Sequence, residues 1–302
     1  MEDLPHAIYL PSKEKAVLLC MEPVEMKNFY HPDFLNQFDG VVSWRRNIRH
    51  PQMNVRWVPY PLFYGIRFNR LKQPSGWIRL REMKMDADTK SRTRIGVCSF
   101  LLSAKNLCLT HKMRIDLMKY LRKHLPELAV FGYEKHSDKE TALDNFEASV
   151  VIENHDLADG FTEKIQDCFL AGAHPFYWGC RNLESYFPAE SFTRIPLENP
   201  PRCLEIIRNG IQKKVWKENL AARHKARRLV VEKYNIYPAL RQLGRELTFG
   251  QPSTKIGSGR WLWPEWYFRD HGPRWLPRVF ISLLRKSMAR NNGEVATTLE
   301  IS

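Results

Sequence analysis

The fold is decided by the stretch Phe146-Glu-Ala-Ser-Val-Val-Ile-Glu-Asn154, which a polar loop joins to Phe161-Thr-Glu-Lys164 and then to Ala173-His-Pro-Phe-Tyr-Trp-Gly179. The pattern predicts a buried strand at Ala148–Ile152, a helix at Glu163–Leu170 with Thr162 as its N-cap, and a second strand at His174–Trp178. In such a βαβ unit, ligands bind beyond the carboxyl ends of the strands. The sequence therefore predicts a nucleotide-binding edge formed by Glu153, Asn154, Glu163 and Lys164.

The flanking sequence alternates between strand and helix patterns, which is typical of an α/β fold with a parallel sheet. Further strands are predicted at Lys15–Cys20, Gly40–Trp44, Gly96–Leu102 and Leu128–Phe131. Helices are predicted at Pro32–Gln37, His111–His124, Pro201–Gln212, Lys214–Lys233 and Tyr237–Leu247. Residues 67–94 are basic, and their apolar residues follow neither the period of a helix nor that of a strand, which indicates a linker or an acceptor-facing loop.

Length and composition indicate a folded globular protein. The chain has 302 residues, of which 43% are hydrophobic and 12% aromatic, enough to bury a sizeable core. It contains no apolar run of about 18 residues, and its first residues lack the basic and apolar regions of a signal peptide. We therefore expect a cytoplasmic protein whose six scattered cysteines are reduced thiols and not a disulfide or metal framework.

The net charge of +14 calls for an anionic partner, for which nucleic acid, acidic lipid and a nucleotide-sugar are candidates. No zinc finger or RNP motif is present, so nucleic acid is not expected. Residues 251–302 form a basic tail in which tryptophans are mixed with arginines. This mixture suits peripheral contact of residues 260–290 with a membrane, although the rings could instead pack on the folded domains. The tryptophans in question are Trp261, Trp263, Trp266 and Trp275.

The motifs of the central stretch resemble the signature of the α1,3-fucosyltransferase family, glycosyltransferase family 10, in particular its bacterial members of surface-polysaccharide pathways. The resemblance lies in Val-Ile-Glu-Asn154, Phe-Thr-Glu-Lys164, Pro-Phe-Tyr-Trp-Gly179 and Tyr-Phe-Pro-Ala-Glu-Ser-Phe192, whose order and spacing agree with the family pattern. It extends upstream to the strand before Ser103, to His111-Lys-Met-Arg114, to Val42-Ser-Trp-Arg-Arg-Asn47 and to Val58-Pro-Tyr60.

The resemblance implies the GT-B arrangement of two Rossmann-like domains, here with an abbreviated N-terminal one. We assign residues 1–92 to an acceptor-side domain, 93–250 to a nucleotide-sugar-binding domain and 251–302 to the tail. The implied reaction moves fucose, or a related sugar, with inversion from a GDP-sugar to a hydroxyl of a cell-surface glycan such as lipopolysaccharide O-antigen, free or lipid-linked. The protein would act in the cytoplasm or on the inner face of the membrane. No metal or other cofactor is required, because cationic side chains can neutralise the leaving diphosphate.

The resemblance also implies roles for individual residues. Arg114 and Lys164 would bind the diphosphate, and Asn154 and Glu163 would bind hydroxyl groups of the donor, with Ser103 and Thr162 beside them. Glu22 would be the general base, with Glu25 as the fallback. Without the resemblance, Arg114 is typical of a solvated helix residue, Asn154 and Thr162 of caps, Glu153 of a structural acceptor and Glu22 of a surface turn.

Two positions depart from the family pattern. Position 155 is His in place of Ser, and position 160 is Gly in place of a tyrosine, so a stacking partner for the nucleobase is lost. His155 has the chemistry of a ligand or base, but a loop histidine is more often solvated. Two other functions therefore stay open. They are a catalytically impaired paralogue that binds nucleotide or glycan, and a basic protein that binds membrane or nucleic acid.

Overall fold

The computed structural model describes residues 8–10, 15–22, 27, 30–60, 66–68, 74–77, 94–134, 137–246 and 259–265. Its strands are β1 (Ile8–Leu10), β2 (Val17–Cys20), β3 (Gly40–Ser43), β4 (Met53–Val55), β5 (Ile66–Phe68), β6 (Pro74–Trp77), β7 (Gly96–Leu101), β8 (Leu128–Phe131), β9 (Phe146–Ile152), β10 (His174–Trp178), β11 (Thr193–Arg194) and β12 (Arg260–Leu262). Its α-helices are α1 (Pro32–Asn36), α2 (Leu109–His124), α3 (Lys139–Leu143), α4 (Glu163–Ala171), α5 (Pro200–Lys213), α6 (Val215–Glu218), α7 (Leu220–Glu232) and α8 (Ile236–Glu246).

The central unit, residues 59–247, is built on a five-stranded parallel sheet. The strand order is β8-β7-β9-β10-β11, so the first strand of the sheet lies inside it and the next strand in the chain lies at its edge. This is an order of doubly wound nucleotide-binding folds, in which the winding reverses between β7 and β9. Ligands of such sheets bind in the crevice that this reversal opens at the carboxyl ends of the two strands.

The parallel sheet is covered by helices on both faces. On one face, Leu117 and Leu121 of α2 and Ile207 of α5 pack against Phe100 and Val150 in one buried cluster. On the other face, α4 packs against β9, β10 and α7. Burial of each such apolar side chain contributes about 1.5–3 kcal/mol, which explains why the residues of these strands are mostly apolar.

The helix α4 has well-defined signals at both ends. The Thr162 hydroxyl accepts a hydrogen bond from the Lys164 backbone N–H at 3.3 Å, as an N-cap does. The helix ends at Gly172, whose φ of 69° is left-handed and whose N–H bonds back to the Phe169 carbonyl at 3.0 Å. The predicted βαβ unit is therefore confirmed, and the N-cap places Lys164 in the first turn of α4.

The N-terminal unit combines residues 1–58 with 248–302. Its described residues form the three-stranded parallel sheet β2-β3-β4 and the antiparallel pair β1-β12. Leu18 and Val41 of the sheet pack with Phe34 and Leu35 of α1. The predicted fold class is confirmed: the chain is α/β, with two Rossmann-like units of which the N-terminal one is abbreviated. The units divide at residues 58 and 247, whereas the sequence placed boundaries at 92 and 250.

Residues 259–265 belong to the core of the N-terminal unit. The Gln37 side chain donates to the Trp263 carbonyl at 2.7 Å and accepts from the Trp263 N–H at 2.6 Å. Glu265, fully buried, pairs with Lys27 at 2.6 Å. Trp263 is only 6% exposed, and the partly buried Trp261 packs against the same apolar cluster, so these two rings pack on the folded unit. Membrane contact of residues 260–290 stays a prediction. Trp266 and Trp275 lie outside the described residues.

Some elements differ from the prediction. Within the expected loop 67–94, β5 and β6 pair as an antiparallel hairpin whose strands are too short to show a period. The expected helix 214–233 is broken, because Lys214 has a left-handed φ of 53° and α6 ends before Asn219. The short elements β1, β4, α3 and β11 were also missed. Among the residues the structure describes, no helix is long and apolar enough to cross a membrane. All six cysteines are free thiols.

Candidate functional site

The candidate site lies at the carboxyl ends of β7 and β9, where the strand order reverses. Ser103 lies just beyond β7 and Asn154 just beyond β9, while Arg114 is on α2, the helix that follows β7. The helix α4, which carries Lys164, begins after the loop that leaves β9. The sheet topology therefore gathers side chains that are up to 61 residues apart in the sequence, counted from Ser103 to Lys164.

Arg114 is buried, with 4% of its surface exposed, yet its guanidinium is held by long hydrogen bonds. Its Nη1 donates to Asn154 Oδ1 at 3.5 Å, and its Nη2 donates to the carbonyl and hydroxyl of Ser103 at 3.2 and 3.4 Å. Its Nε has no hydrogen-bond partner among the residues described. Burial lowers the pKa of Arg114, and electrostatic interactions with Cys108 and Glu153 partly offset this decrease. A buried guanidinium with unsaturated donors favours an anionic ligand.

His111 is a member of this cluster that sequence reasoning did not single out. It is 2% exposed and lies one helical turn before Arg114. Its Nδ1 accepts a hydrogen bond from the Leu107 N–H at 3.2 Å. Burial, and then the charge of Arg114, lower its pKa. The three-residue spacing from Arg114 is the one signal that could have placed it on the same helix face.

Lys164 and Thr162 are organised by a fully buried carboxylate, Glu153. Glu153 accepts from the Thr162 backbone N–H at 2.9 Å, from the Thr162 hydroxyl at 2.6 Å and from Lys164 Nζ at 3.2 Å. The Lys164 side chain stays 27% exposed, so its ammonium faces solvent as well as Glu153. Glu153 is therefore the structural acceptor that the sequence suggested, and it holds the Lys164 ammonium at the start of α4.

Glu163 lies in a separate ion-pair group. Its carboxylate is 3.8 Å from Lys139 Nζ, and Lys139 also bonds to the buried Asp167. Burial raises the pKa of Glu163, but the charges of Lys164 and Lys139 outweigh it, and the pKa lies below the ordinary value. Glu163 is thus an ionised hydrogen-bond acceptor at the first position of α4. Its predicted contact with donor hydroxyls stays a prediction.

The two departures from the family pattern, His155 and Gly160, are in contact with each other. The His155 ring is 3% exposed, and its Nδ1 accepts from the Leu157 N–H at 3.3 Å. A Cβ at Gly160 would lie 3.0 Å from His155 Nδ1 and closer still to Cε1. The imidazole therefore occupies the space that any side chain at position 160 would need. His155 is buried and not solvated, which corrects the reading of it as a loop histidine.

This contact predicts that the two positions are energetically coupled. Gly160→Ala alone is expected to lower the free energy of unfolding by about 1–3 kcal/mol, because the added methyl overpacks the His155 ring. In the His155→Ser background, the same change should be close to neutral. Urea unfolding of the four members of this double-mutant cycle measures the coupling. Equal costs of Gly160→Ala in both backgrounds would contradict it.

Glu22, the predicted general base, is exposed just beyond β2 in the N-terminal unit. Its backbone carbonyl contacts Arg45, which is 2% exposed and which the sequence did not single out. Arg45 Nη1 donates to the Glu22 carbonyl at 3.4 Å and to the Lys27 carbonyl at 2.5 Å. Glu25 lies outside the described residues. The backbone carbonyl of Glu22, the predicted base, is thus held by the buried guanidinium of Arg45.

No protein-family model matches the chain, and no curated protein matches it. Among solved structures it is similar to an α1,3-fucosyltransferase with GDP-fucose, at 17% identity and a TM-score of 0.45, covering 70% of this chain and 67% of that one. It is similar to HepE of Anabaena in complex with UDP and glucose, at 9% identity and a TM-score of 0.48, covering 76% and 70%. It is also similar to the pneumococcal O-GlcNAc transferase GtfA in complex with UDP and GlcNAc, at 12% identity and a TM-score of 0.43, covering 72% and 47%.

The chain spans about two thirds of the length of the fucosyltransferase structures that it matches, between 64% and 67%.

Proposed function

We propose that this protein is an inverting glycosyltransferase that moves fucose, or a related sugar, from a GDP-sugar to a hydroxyl of a cell-surface glycan. The observation that carries the proposal is the buried, incompletely satisfied guanidinium of Arg114 at the carboxyl ends of β7 and β9. The sequence motif that contains Asn154 and Lys164 supports the choice of family. A catalytically impaired paralogue would share this site, and an assay of donor hydrolysis distinguishes it from an active transferase.

The proposed role of the cations is to stabilise the leaving group. A nucleoside diphosphate departs with concentrated negative charge, and fixed cations that meet this charge lower the barrier. Arg114 offers a planar fork for phosphate oxygens, and Lys164 offers an ammonium at the N-terminus of α4. Because two side-chain cations would perform this role, the proposed reaction needs no divalent metal.

The remaining donor contacts are proposed for Asn154 and Glu163. The carboxamide of Asn154 can donate and accept, and it is half-buried beside Arg114. Glu163, ionised by the charges that lower its pKa, would accept hydrogen bonds from hydroxyl groups of the ribose or sugar. Ser103 and Thr162 would act through the residues they hold, Arg114 and Lys164.

The proposed acceptor is a glycan, free or lipid-linked, that the protein meets in the cytoplasm or on the inner face of the membrane. The net charge of +14 supports attraction to an anionic membrane surface. Inversion needs a single base to take the proton of the attacking hydroxyl, and no covalent intermediate. We assign this base to Glu22, with Glu25 as the alternative.

Removal of the proposed base is expected to separate chemistry from binding. Glu22→Gln should slow release of GDP from GDP-fucose by about 10²–10⁴-fold, because water or acceptor loses its proton acceptor. The dissociation constant for GDP-fucose should stay within about twofold, because the substituted side chain is exposed and isosteric. Asp33→Asn, a change of an exposed carboxylate in the same unit, is the control. If Glu22→Gln releases GDP at the wild-type rate and Glu25→Gln does not, the general base is Glu25 and not Glu22.

The identity of the donor is tested by thermal unfolding with a panel of ligands. GDP-fucose and GDP are expected to raise the melting temperature, because a ligand that binds the folded state stabilises it by mass action. UDP-glucose at the same concentration should raise it less. A larger shift with UDP-glucose would contradict the choice of a GDP-sugar but not of a nucleotide-sugar. No shift with any nucleotide-sugar would contradict the transferase itself.

A further inference from the structure

The β9–α4 loop, residues 153–162, connects two residues of the candidate site. Asn154 lies near its start, and Lys164 follows its end in the first turn of α4. Glu153 closes the base of the loop, because it accepts from the Thr162 N–H at 2.9 Å and from the Thr162 hydroxyl at 2.6 Å. The conformation of the loop between these ends therefore affects where Asn154 lies relative to Lys164.

The tip of the β9–α4 loop is attached, through Asp159, to the segment that follows β10. Asp159 Oδ1 accepts from the Asn182 amino group at 2.8 Å and from the Tyr186 hydroxyl at 2.6 Å. The Asp159 backbone N–H donates to Asn182 Oδ1 at 2.7 Å. The carboxamide of Asn182 thus contacts Asp159 at two points, and Tyr186 adds a third hydrogen bond to the same residue.

The side chains that hold Asp159 are themselves held by their neighbours. The Tyr186 ring packs edge-on against the fully buried Phe161 ring, with the two centroids 4.9 Å apart. Asn182 Oδ1 also accepts from the thiol of the buried Cys180 at 3.2 Å. These contacts fix the positions of the two donors, so Asp159 has a defined place to which it must return.

The backbone at the tip of the loop is in a conformation that most residues disfavour. Asp159 has a left-handed φ of 62°, which Asp adopts more readily than most residues other than glycine. The next residue, Gly160, donates its N–H to the Leu157 carbonyl at 3.3 Å and completes the turn. The hydrogen bonds of Asp159 offset the cost of this φ, so their removal should release the tip of the loop.

We infer that Asp159 is a positioning residue that holds the β9–α4 loop in the conformation needed to bind the diphosphate of the donor. Asn182 and Tyr186 provide the hydrogen bonds that hold it. Asn154 and Lys164 are the binding residues whose spacing the loop maintains. This inference rests on the proposed function, because it needs a diphosphate at this site. A loop that is already ordered strengthens binding, because little conformational entropy is lost when the ligand arrives.

A second contact joins the same two segments and provides a matched control. Arg181 Nε and Nη2 donate to Asp156 Oδ2 at 3.0 and 2.7 Å. The side chains of Arg181 and Asp156 are 67% and 45% exposed, and ion pairs as exposed as this one contribute little. Asp156→Ala should therefore leave ligand binding within about twofold of the wild type, although it removes a carboxylate from the same loop.

The first test titrates three variants of Asp159 with inorganic pyrophosphate by isothermal titration calorimetry. Asp159→Ala removes the acceptor of two hydrogen bonds and should weaken binding by about tenfold or more, because the loop must then be ordered by the ligand. Asp159→Asn keeps an acceptor oxygen and tolerates the left-handed φ, so it should stay within about threefold. Asp159→Gly tolerates this φ but has no acceptor, and it should bind as weakly as Asp159→Ala.

The second test removes one hydrogen bond and keeps the ring that makes it. Tyr186→Phe should weaken pyrophosphate binding by about threefold to tenfold, and in the Asp159→Ala background it should cause no further loss. The inference is overturned if Asp159→Gly binds pyrophosphate as the wild type does. It is also overturned if Tyr186→Phe has the same effect, or none, in both backgrounds.

Steady-state kinetics with GDP-fucose separate positioning from a loss of folded protein. Tyr186→Phe should raise the KM for the donor by about threefold to tenfold and leave kcat within about twofold, because the bound loop is ordered in both the ground state and the transition state. A variant that merely contained less folded protein would show a lower kcat at an unchanged KM. That outcome would overturn the positioning role.

The same proteins separate this inference from the proposed function. If pyrophosphate binding follows the expected pattern but no nucleotide-sugar binds, the transferase is contradicted and the role of Asp159 in an anion site stands. If GDP-fucose binds the wild type and Asp159→Ala with equal affinity, the transferase stands and the positioning role fails.

Discussion

Replacing Arg114 by alanine is expected to raise the dissociation constant for GDP-fucose by about 30-fold or more. Truncating one partner of a buried, hydrogen-bonded charge pair costs about 2–5 kcal/mol, much of it because the other charge loses its partner. In this site the loss falls on the diphosphate, and Asn154 also loses its hydrogen bond to Arg114. Isothermal titration calorimetry with GDP-fucose measures the effect.

Two further variants show that this effect belongs to the site. Arg122→Ala removes an arginine from the same helix, but one that is largely exposed and paired with Glu134, so binding should not change. Arg114→Lys keeps the charge but loses the fork, and it should give an intermediate affinity. Unchanged affinity in a folded Arg114→Ala protein would remove the phosphate-binding role.

Replacing Gly179 by alanine is expected to have the largest effect on stability, a loss of more than about 3 kcal/mol. Gly179 has a φ of 152°, which side chains rarely adopt. A Cβ there would lie 2.5 Å from Glu153 Cγ and 2.7 Å from Tyr177 Oη. The new methyl would thus push on the buried carboxylate that holds Lys164, and donor binding should weaken in whatever fraction stays folded. Urea unfolding monitored by circular dichroism gives the free energy.

Gly244 provides a matched control of opposite sign. It lies inside α8, and a Cβ there meets no other atom within 4 Å. Gly244→Ala should therefore raise the free energy of unfolding by about 0.5–1 kcal/mol, the difference between the two residues in a helix. If Gly179→Ala lowers the free energy of unfolding by no more than about 1 kcal/mol, the end of β10 can relax to accept a methyl group. That result would contradict the rigid packing of Gly179 against Glu153.

The elements around the candidate site were predictable from local sequence. The apolar run before Glu153 and the N-cap Thr162 each act within a few residues, so periodicity and capping chemistry were enough to place β9 and α4. Placing Arg114 near Lys164 required the order of strands in the sheet. That order follows from contacts distant in the sequence. The resemblance to a family supplied the roles of Arg114 and Lys164 but not the order of the strands.

The features that the sequence did not indicate depend on contacts between distant residues or on geometry. The pairing of β1 with β12 joins residues at least 250 positions apart, and no periodicity in the sequence indicates such a contact. Gly160 was interpreted as the loss of a stacking ring and His155 as a solvated loop residue, but the structure shows that the His155 ring fills the space beside Gly160. Packing of this kind becomes visible only when both side chains are placed.

We propose that the diphosphate of a nucleotide-sugar binds at the carboxyl ends of β7 and β9, between Arg114 and Lys164. The most direct measurement is calorimetric titration of the wild-type protein with GDP-fucose and with guanosine, which lacks the phosphates. We expect one GDP-fucose to bind per chain, with a dissociation constant at least about 100-fold lower than that of guanosine. Charge-assisted hydrogen bonds to the diphosphate should supply most of this affinity. Equal affinity for the two ligands, or no binding of GDP-fucose, would contradict it.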